Sequence, residues 1–190
     1  PSPGGIERTA VFSRAFARAG FVVTSGLADG VDAAAHDSAL ASGRTLAVVG
    51  TGLDTCYPAR NRGLAERIAG AGLVASEHPP GTPALTHHFP SRNRIIAGLS
   101  LGTVVIEAAL RSGALITARL AAEAGREVFA LPGSLDNPLA RGCHRLIRDG
   151  AALVEDPAEV TAALAPVAGA LANLLRGRLA AADRPSAGVR

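Results

Sequence analysis

Short continuous apolar runs alternate along the chain with longer stretches in which apolar residues recur every three or four positions. The runs "FVVTS" (21–25), "TLAVVG" (45–50), "LVASE" (73–77), "TVVIEA" (103–108), "EVFALPG" (127–133) and "AALV" (151–154) have the length and unbroken hydrophobicity of strands buried on both faces. Between them, 4–20, 29–43, 59–72, 89–100, 113–125, 139–150 and 156–165 carry the helical period, and several end on glycine, the residue that most readily takes the left-handed turn closing a helix. A Pro-rich stretch, 78–90, reads as a loop. This alternation predicts an α/β fold, a doubly wound and mostly parallel sheet with helices on both faces. Residues 166–190 are rich in Ala, Arg and Pro without a strand signal; they read as a helical linker or tail behind a domain spanning 1–165.

In such a sheet ligands bind beyond the carboxyl ends of the strands. Here those ends are Ser25-Gly26, Gly50-Thr51-Gly52, Ser76-Glu77, Glu107-Ala108 and Pro132-Gly133-Ser134. Any one glycine is explained by a tight turn. Together, small residues at several ends leave a crevice lined by backbone N–H groups and helix starts, a surface suited to anions.

Composition narrows the picture. With 48% hydrophobic and 18% charged residues, the 190-residue chain is globular rather than disordered. Its unbroken apolar runs fall short of the roughly 20 residues of a membrane span, no basic-then-apolar leader opens it, and two cysteines make no disulfide framework, so a cytoplasmic protein is expected. All 19 basic residues are arginine, and the net charge of +3 permits an anionic partner without requiring one. Methionine is absent, which suggests a fragment or a processed product.

Several familiar chemistries fit poorly. "GTGLDT" lacks the third glycine of a dinucleotide fingerprint, and Tyr57-Pro58 intervenes before any helix. A Walker A loop is impossible without lysine. Cys56, His78, His87, His88, Cys143 and His144 match no zinc spacing. Asp32 and His36 follow Ser25 at i,i+4 spacing, but the nucleophile-elbow pattern is missing, so the two are expected to hydrogen-bond each other or the neighbouring loop. In "RSGALITA" (111–118), Ser112 and Gly113 open a helix beside Arg111, which serves equally as an ordinary N-cap or as a phosphate site.

The stretch "FPSRNRIIAGLS" (89–100) is more pointed. Phe89 is one of six aromatic residues and precedes Arg92 and Arg94 at a helix start. Two residues apart, these arginines project about 200° apart on a helix. An aromatic face with guanidinium groups suits a nucleobase and its flanking phosphates. The alternative is a Phe89 that staples the helix and an arginine paired with Glu77 or Glu107; both hold if one arginine is structural.

"SGLADGVDAAAH", "GTGLDTCYPARNRGLAERI", "SEHPPGTP", "FPSRNRIIAGLS", "VIEAALRSGALITARLAAEAGREVFALPG" and "GCHRLIRDGA", in this order, resemble the signature blocks of the DprA (Smf) family of DNA-processing proteins. The resemblance covers about residues 2–165. It implies an extended Rossmann-like domain that binds single-stranded DNA, forms homodimers and loads the RecA recombinase during natural transformation, with neither turnover nor cofactor. It places the DNA pocket at Phe89, Arg92, Asn93 and Arg94, with backbone amides from Ser25-Gly26, Gly52 and Ser112-Gly113, and the dimer contact near Leu146, Ile147 and Leu153. The chain departs from the pattern in places. The family's first strand, with its Gly-Ser-Arg turn, would precede Pro1, and its loss would leave a gap in the sheet. Thr86, flanked by His87 and His88, stands where a basic residue is common; Asp29 replaces a frequent arginine and His144 a frequent asparagine. The usual winged-helix tail is not visible. A different class, the phosphoribohydrolases of related fold, is echoed by "GLSLGTVVIEA", with Glu107 as the would-be catalytic carboxylate.

Overall fold

The computed structural model describes residues 1–182 of the chain. Its elements follow the predicted alternation: α1 (Pro3–Arg18), β1 (Val23–Ser25), α2 (Val31–Leu40), β2 (Thr45–Val49), a 3-10 turn (Ala59–Asn61) leading into α3 (Arg62–Ala71), β3 (Leu73–Ser76), α4 (His88–Leu99), β4 (Gly102–Val105), α5 (Gly113–Glu123), β5 (Glu127–Ala130), α6 (Arg141–Arg148), β6 (Ala152–Leu153) and α7 (Pro157–Ala182). Helix α7 continues through Pro166, across the expected domain boundary; residues 183–190 of the expected tail lie outside the described residues.

All strand pairs are parallel, but they form two three-stranded sheets, β1-β2-β3 and β4-β5-β6. Strands β1 and β4 are therefore edges. Residues of both, Thr24 and Ser25 from one and Gly102 and Val104 from the other, line the same two cavities of about 510 and 740 Å³. A gap thus runs between the two half-sheets, where a continuous doubly wound sheet would place a strand.

Three apolar clusters hold the layers. Phe12 of α1 packs with Ile106, Phe129, Leu131, Val154, Val160 and Leu164, and its ring meets Phe16 edge-on at 5.8 Å. This cluster ties α1 and α7 to the second half-sheet. Val105, Ala108, Ala118, Ala130 and Cys143 form the floor under α5 and α6, and Leu27, Ala47, Val49 and Ile68 that between the first half-sheet and α3. Many of these are alanines, which let helices approach the sheet closely. By length and composition α7 is also long and apolar enough to cross a membrane, a feature not anticipated because no single run is unbroken. Its first turns bury Val160 and Leu164 in the core, while Leu171, Leu174, Leu175 and Leu179 are exposed.

At the chain start, Ser2 caps α1 by accepting from the Gly5 N–H, and its own N–H and hydroxyl donate to the two oxygens of Glu107, just beyond β4. A Cβ at Gly5 would overlap that carboxylate, so a larger residue there would have to displace the Glu107 side chain from Ser2.

Candidate nucleic-acid interface

Three loops at the carboxyl edge of the first half-sheet converge on the start of α4, and each is fixed by internal hydrogen bonds. After β1 the Asp32 carboxylate accepts from the Gly26 and Ala28 N–H groups at 3.1 and 3.2 Å, while the Leu27 carbonyl accepts from Asn61 at 3.0 Å. These bonds hold Leu27 at φ 59, a left-handed conformation that a branched side chain takes only when its surroundings impose it. After β2 the Thr51 carbonyl accepts from Ser76, and Gly52 donates to Thr82. After β3 the Gly81 N–H rests on the Asp54 carboxylate.

The two arginines of α4 part company. Arg92 is 4% exposed; its Nη1 donates to the carbonyls of Gly26, at 2.6 Å, and Val48. It is a crosspiece between the ends of β1 and β2, and burial pushes its guanidinium below its ordinary value. A Cβ at residue 26 would overlap that guanidinium. Arg94 is exposed and forms an ion pair with Glu77. Arg92 is walled in and committed to carbonyls, the geometry of the structural arginine among the alternatives left open above, although it lines the 510 Å³ cavity together with Asn93, Ser112 and Gly113.

The expected amide donors are also largely committed: Gly26 to Asp32, Gly52 to Thr82, and Ser112 to the Ala109 carbonyl. Sequence spacing names these positions but not their partners. Ser112 is an N-cap whose Oγ accepts from Ala114 at 3.3 Å. Ser25 ends β1 and Gly113 begins α5, on opposite sides of the gap.

Phe89 sits half-buried at the start of α4, its ring 5.3 Å from that of Tyr57 and tilted 35°; Tyr57 is 53% exposed, behind a cis peptide to Pro58. Beside it, the His88 and His78 rings stack at 3.9 Å, and His87 meets His88 edge-on at 4.5 Å. The individual residues are plain in the sequence, but these two sets of ring contacts are not, because the loops after β2 and β3 supply Tyr57 and His78. Asp29, the departure from the family pattern, is held by Arg60 in a two-point ion pair that keeps its carboxyl below the usual range. His36 is fully buried and pairs with Thr45, not with Asp32. The Thr45 hydroxyl donates to the Val23 carbonyl, so His36 Nδ1 carries the proton and donates to Thr45. Burial pushes His36 down to about 4. Among the described residues no cluster of His, Cys, Asp and Glu could hold a metal ion. Glu107, the would-be catalytic carboxylate, has both oxygens engaged by Ser2.

Parallel strands joined by helices, with fixed loops and an aromatic surface at the carboxyl edge, define a Rossmann-like α/β protein. The sequence profile of the DNA recombination-mediator protein A family matches residues 1–165, and the chain belongs to that family. It is 48% identical over 168 residues to Protein Smf of Synechocystis, covering 88% of this chain and 42% of that protein. The X-ray structure of DNA processing protein A from Streptococcus pneumoniae matches with a TM-score of 0.80 at 47% identity, over 85% of this chain and 57% of that one. The structure of the Helicobacter pylori protein, described for its single-stranded DNA binding mode, matches with a TM-score of 0.80 at 30% identity, over 87% of this chain and 76% of that one. The chain spans about half the length of the curated relatives it matches.

Proposed function

We propose that the chain binds single-stranded DNA on the carboxyl edge of its first half-sheet and acts in recombination by delivering that strand to a RecA-type recombinase. The observation that carries the reading is the Phe89–Tyr57 ring pair at the start of α4, a face on which a base stacks, with the exposed Arg94 further along the same helix as a charge for phosphate. Family membership and the named DNA-binding mode of the Helicobacter pylori relative support it. In this reading the protein works as a homodimer in the cytoplasm, through a surface that includes the exposed Leu153 of edge strand β6; natural transformation is its setting, and no turnover or cofactor is involved.

Fluorescence anisotropy with oligothymidylate, and the rate at which RecA assembles on strands coated with single-strand-binding protein, test the two halves of the proposal. Micromolar or tighter binding and faster assembly are expected. Release of free base from nucleoside monophosphates would instead point to a phosphoribohydrolase.

A further inference from the structure

Helix α6 carries a face that neither the core nor the site described above uses. Its Cys143, Leu146 and Ile147 turn inward onto a cluster that includes Val105 of β4 and Ala130 of β5. Arg141, Arg145 and Arg148, spaced i, i+4 and i+7, lie exposed along the other side. Arg145 meets Asp149 in an exposed pair at 3.5 Å; Arg141 and Arg148 make no ion pair among the described residues. Arg141 also stands against the usual charge preference of a helix. It opens α6, where free N–H groups and the helix dipole favour an acidic residue, yet that first turn holds no acid and Ala140 offers no capping side chain. Three guanidinium groups within about 10 Å of helix, one of them opposed by the dipole, suit a bound polyanion better than bare solvent.

The strip begins where the described site ends. The 510 Å³ cavity is lined by Phe89 and Asn93 of α4 and also by Leu139, two residues ahead of Arg141. The Ala108 N–H donates to the Leu139 carbonyl and the Ala108 carbonyl accepts from the Gly142 N–H, each at 2.7 Å. A Cβ at Gly142 would overlap Ala108, so the start of α6 is held tightly to the loop after β4, which carries the exposed Arg111. The strip has no ring of its own. Outside Phe89 and Tyr57 the aromatic residues are Phe12, Phe16, Phe21 and Phe129, all packed in or against the core. Charge without a stacking partner fits a sugar-phosphate backbone and not its bases.

We propose that Arg141, Arg145 and Arg148 form a second, sequence-independent contact for single-stranded DNA, a phosphate track that takes the strand once it has crossed the cavity from Phe89. The inference rests on the single-stranded DNA reading and adds to it the length of strand engaged and the residues that engage it.

The test is anisotropy of labelled oligothymidylates of about 6 and about 20 nucleotides, short and long against the roughly 4–16 that one single-strand-binding fold occupies, over several salt concentrations. A longer strand offers more registers, which raises affinity without changing the salt slope; the slope counts phosphate contacts. Two or three added contacts should make the slope of log K against log salt steeper by about 1.4–2.1 for the long strand than for the short one. The triple variant R141Q/R145Q/R148Q should return the long-strand slope to the short-strand value and leave short-strand binding unchanged, with circular dichroism and a thermal melt showing the fold intact. R141K/R145K/R148K should keep the steep slope, and removing three other exposed arginines, Arg8, Arg18 and Arg44, should not alter it. Equal slopes for the two lengths, a steep slope that survives the triple Gln substitution, or an equal loss in the control variant overturns the track and leaves the DNA reading intact. A triple Gln variant that changes only its mass in light scattering, with the slope unmoved, overturns it too and assigns the strip to contact between copies of the chain. No binding of either length removes the DNA reading and this inference with it.

Discussion

Arg92 and Arg94 stand two residues apart on α4 and end in opposite environments: one guanidinium is sealed beneath the Gly26 and Val48 carbonyls, the other lies on the surface against Glu77. The roughly 200° between alternate residues on a helix makes this division unavoidable once one face of α4 is laid on the sheet. It separates a residue that builds the platform from one able to meet a ligand.

The two should respond differently to substitution. Arg92→Leu leaves two strand-end carbonyls without their donor, so stability should fall by about 3 kcal/mol, seen as a lower urea midpoint with an unchanged slope. Arg94→Ala breaks only an exposed pair and should move stability by less than about 1 kcal/mol. It should nevertheless weaken oligothymidylate binding and flatten the salt slope by about 0.7. An Arg94→Ala variant that binds like wild type at every salt concentration would show that Arg94 meets no phosphate.

Strands β1 and β4 each turn an unpaired edge to the gap between the half-sheets, and the gap walls include Val23, Val104 and Ile106. Unpaired backbone and apolar side chains at a sheet interior favour hydration, dye binding and association. The isolated 1–190 chain should bind an apolar fluorescent dye in its native buffer and aggregate on heating. Fusing an extended apolar segment of five or six residues ahead of Pro1, where the chain lies beside Gly30 and Glu107 at the gap's carboxyl end, should suppress dye binding and raise the melting temperature. A sharp, reversible melt of the unextended chain above about 65 °C would argue that the gap is harmless.

Most elements were legible because their signals are local. Ser2 and Pro3 mark the start of α1, the apolar runs mark strands, and each observed helix lies within about three residues of its expected bounds except α7. That helix runs on because Ala and Leu sustain it past Pro166, with no strand to compete. What was not legible is pairing. Sequence spacing placed Asp32 and His36 on one helix face and left open a bond between them or to the neighbouring loop; Asp32 does take the loop amides, but His36 turns to Thr45 on β2, a partner the spacing does not name. The amides of Gly26 and Gly52 were readable as turn positions, yet their occupation by Asp32 and Thr82 depends on contacts between separate loops.

His36 gives the fold an acid-sensitive element. Its folded-state value of about 4 lies below the ordinary 6.5, so the unfolded chain takes up the proton first. Its contribution to stability is therefore complete above about pH 6.5 and is lost as the pH falls toward 4, amounting to about 3 kcal/mol over that window. Urea titrations at pH 7.5, 6, 5 and 4.5 should show stability falling in that order, and His36→Leu should flatten the decline. An equal decline in the His36→Leu variant would assign it to other groups.

The Phe89–Tyr57 pair supplies the sharpest test of the platform. Phe89 rests on Gly50 at the end of β2, where a Cβ would come within 3.3 Å of the ring, so its orientation is set by backbone rather than by a flexible neighbour. A ring held in this way loses little freedom when a base stacks on it. Phe89→Ala should weaken single-stranded DNA binding by about 1–3 kcal/mol whatever the base composition, since every base offers a π-face. Stacking releases no counterions, so the salt slope should stay at the wild-type value, in contrast to the Arg94→Ala variant. Phe89→Tyr should restore most of the affinity by restoring the ring. Because Phe89 is half-buried, thermal melts must accompany the titrations. A folded Phe89→Ala variant with wild-type affinity would move the base-stacking site away from α4.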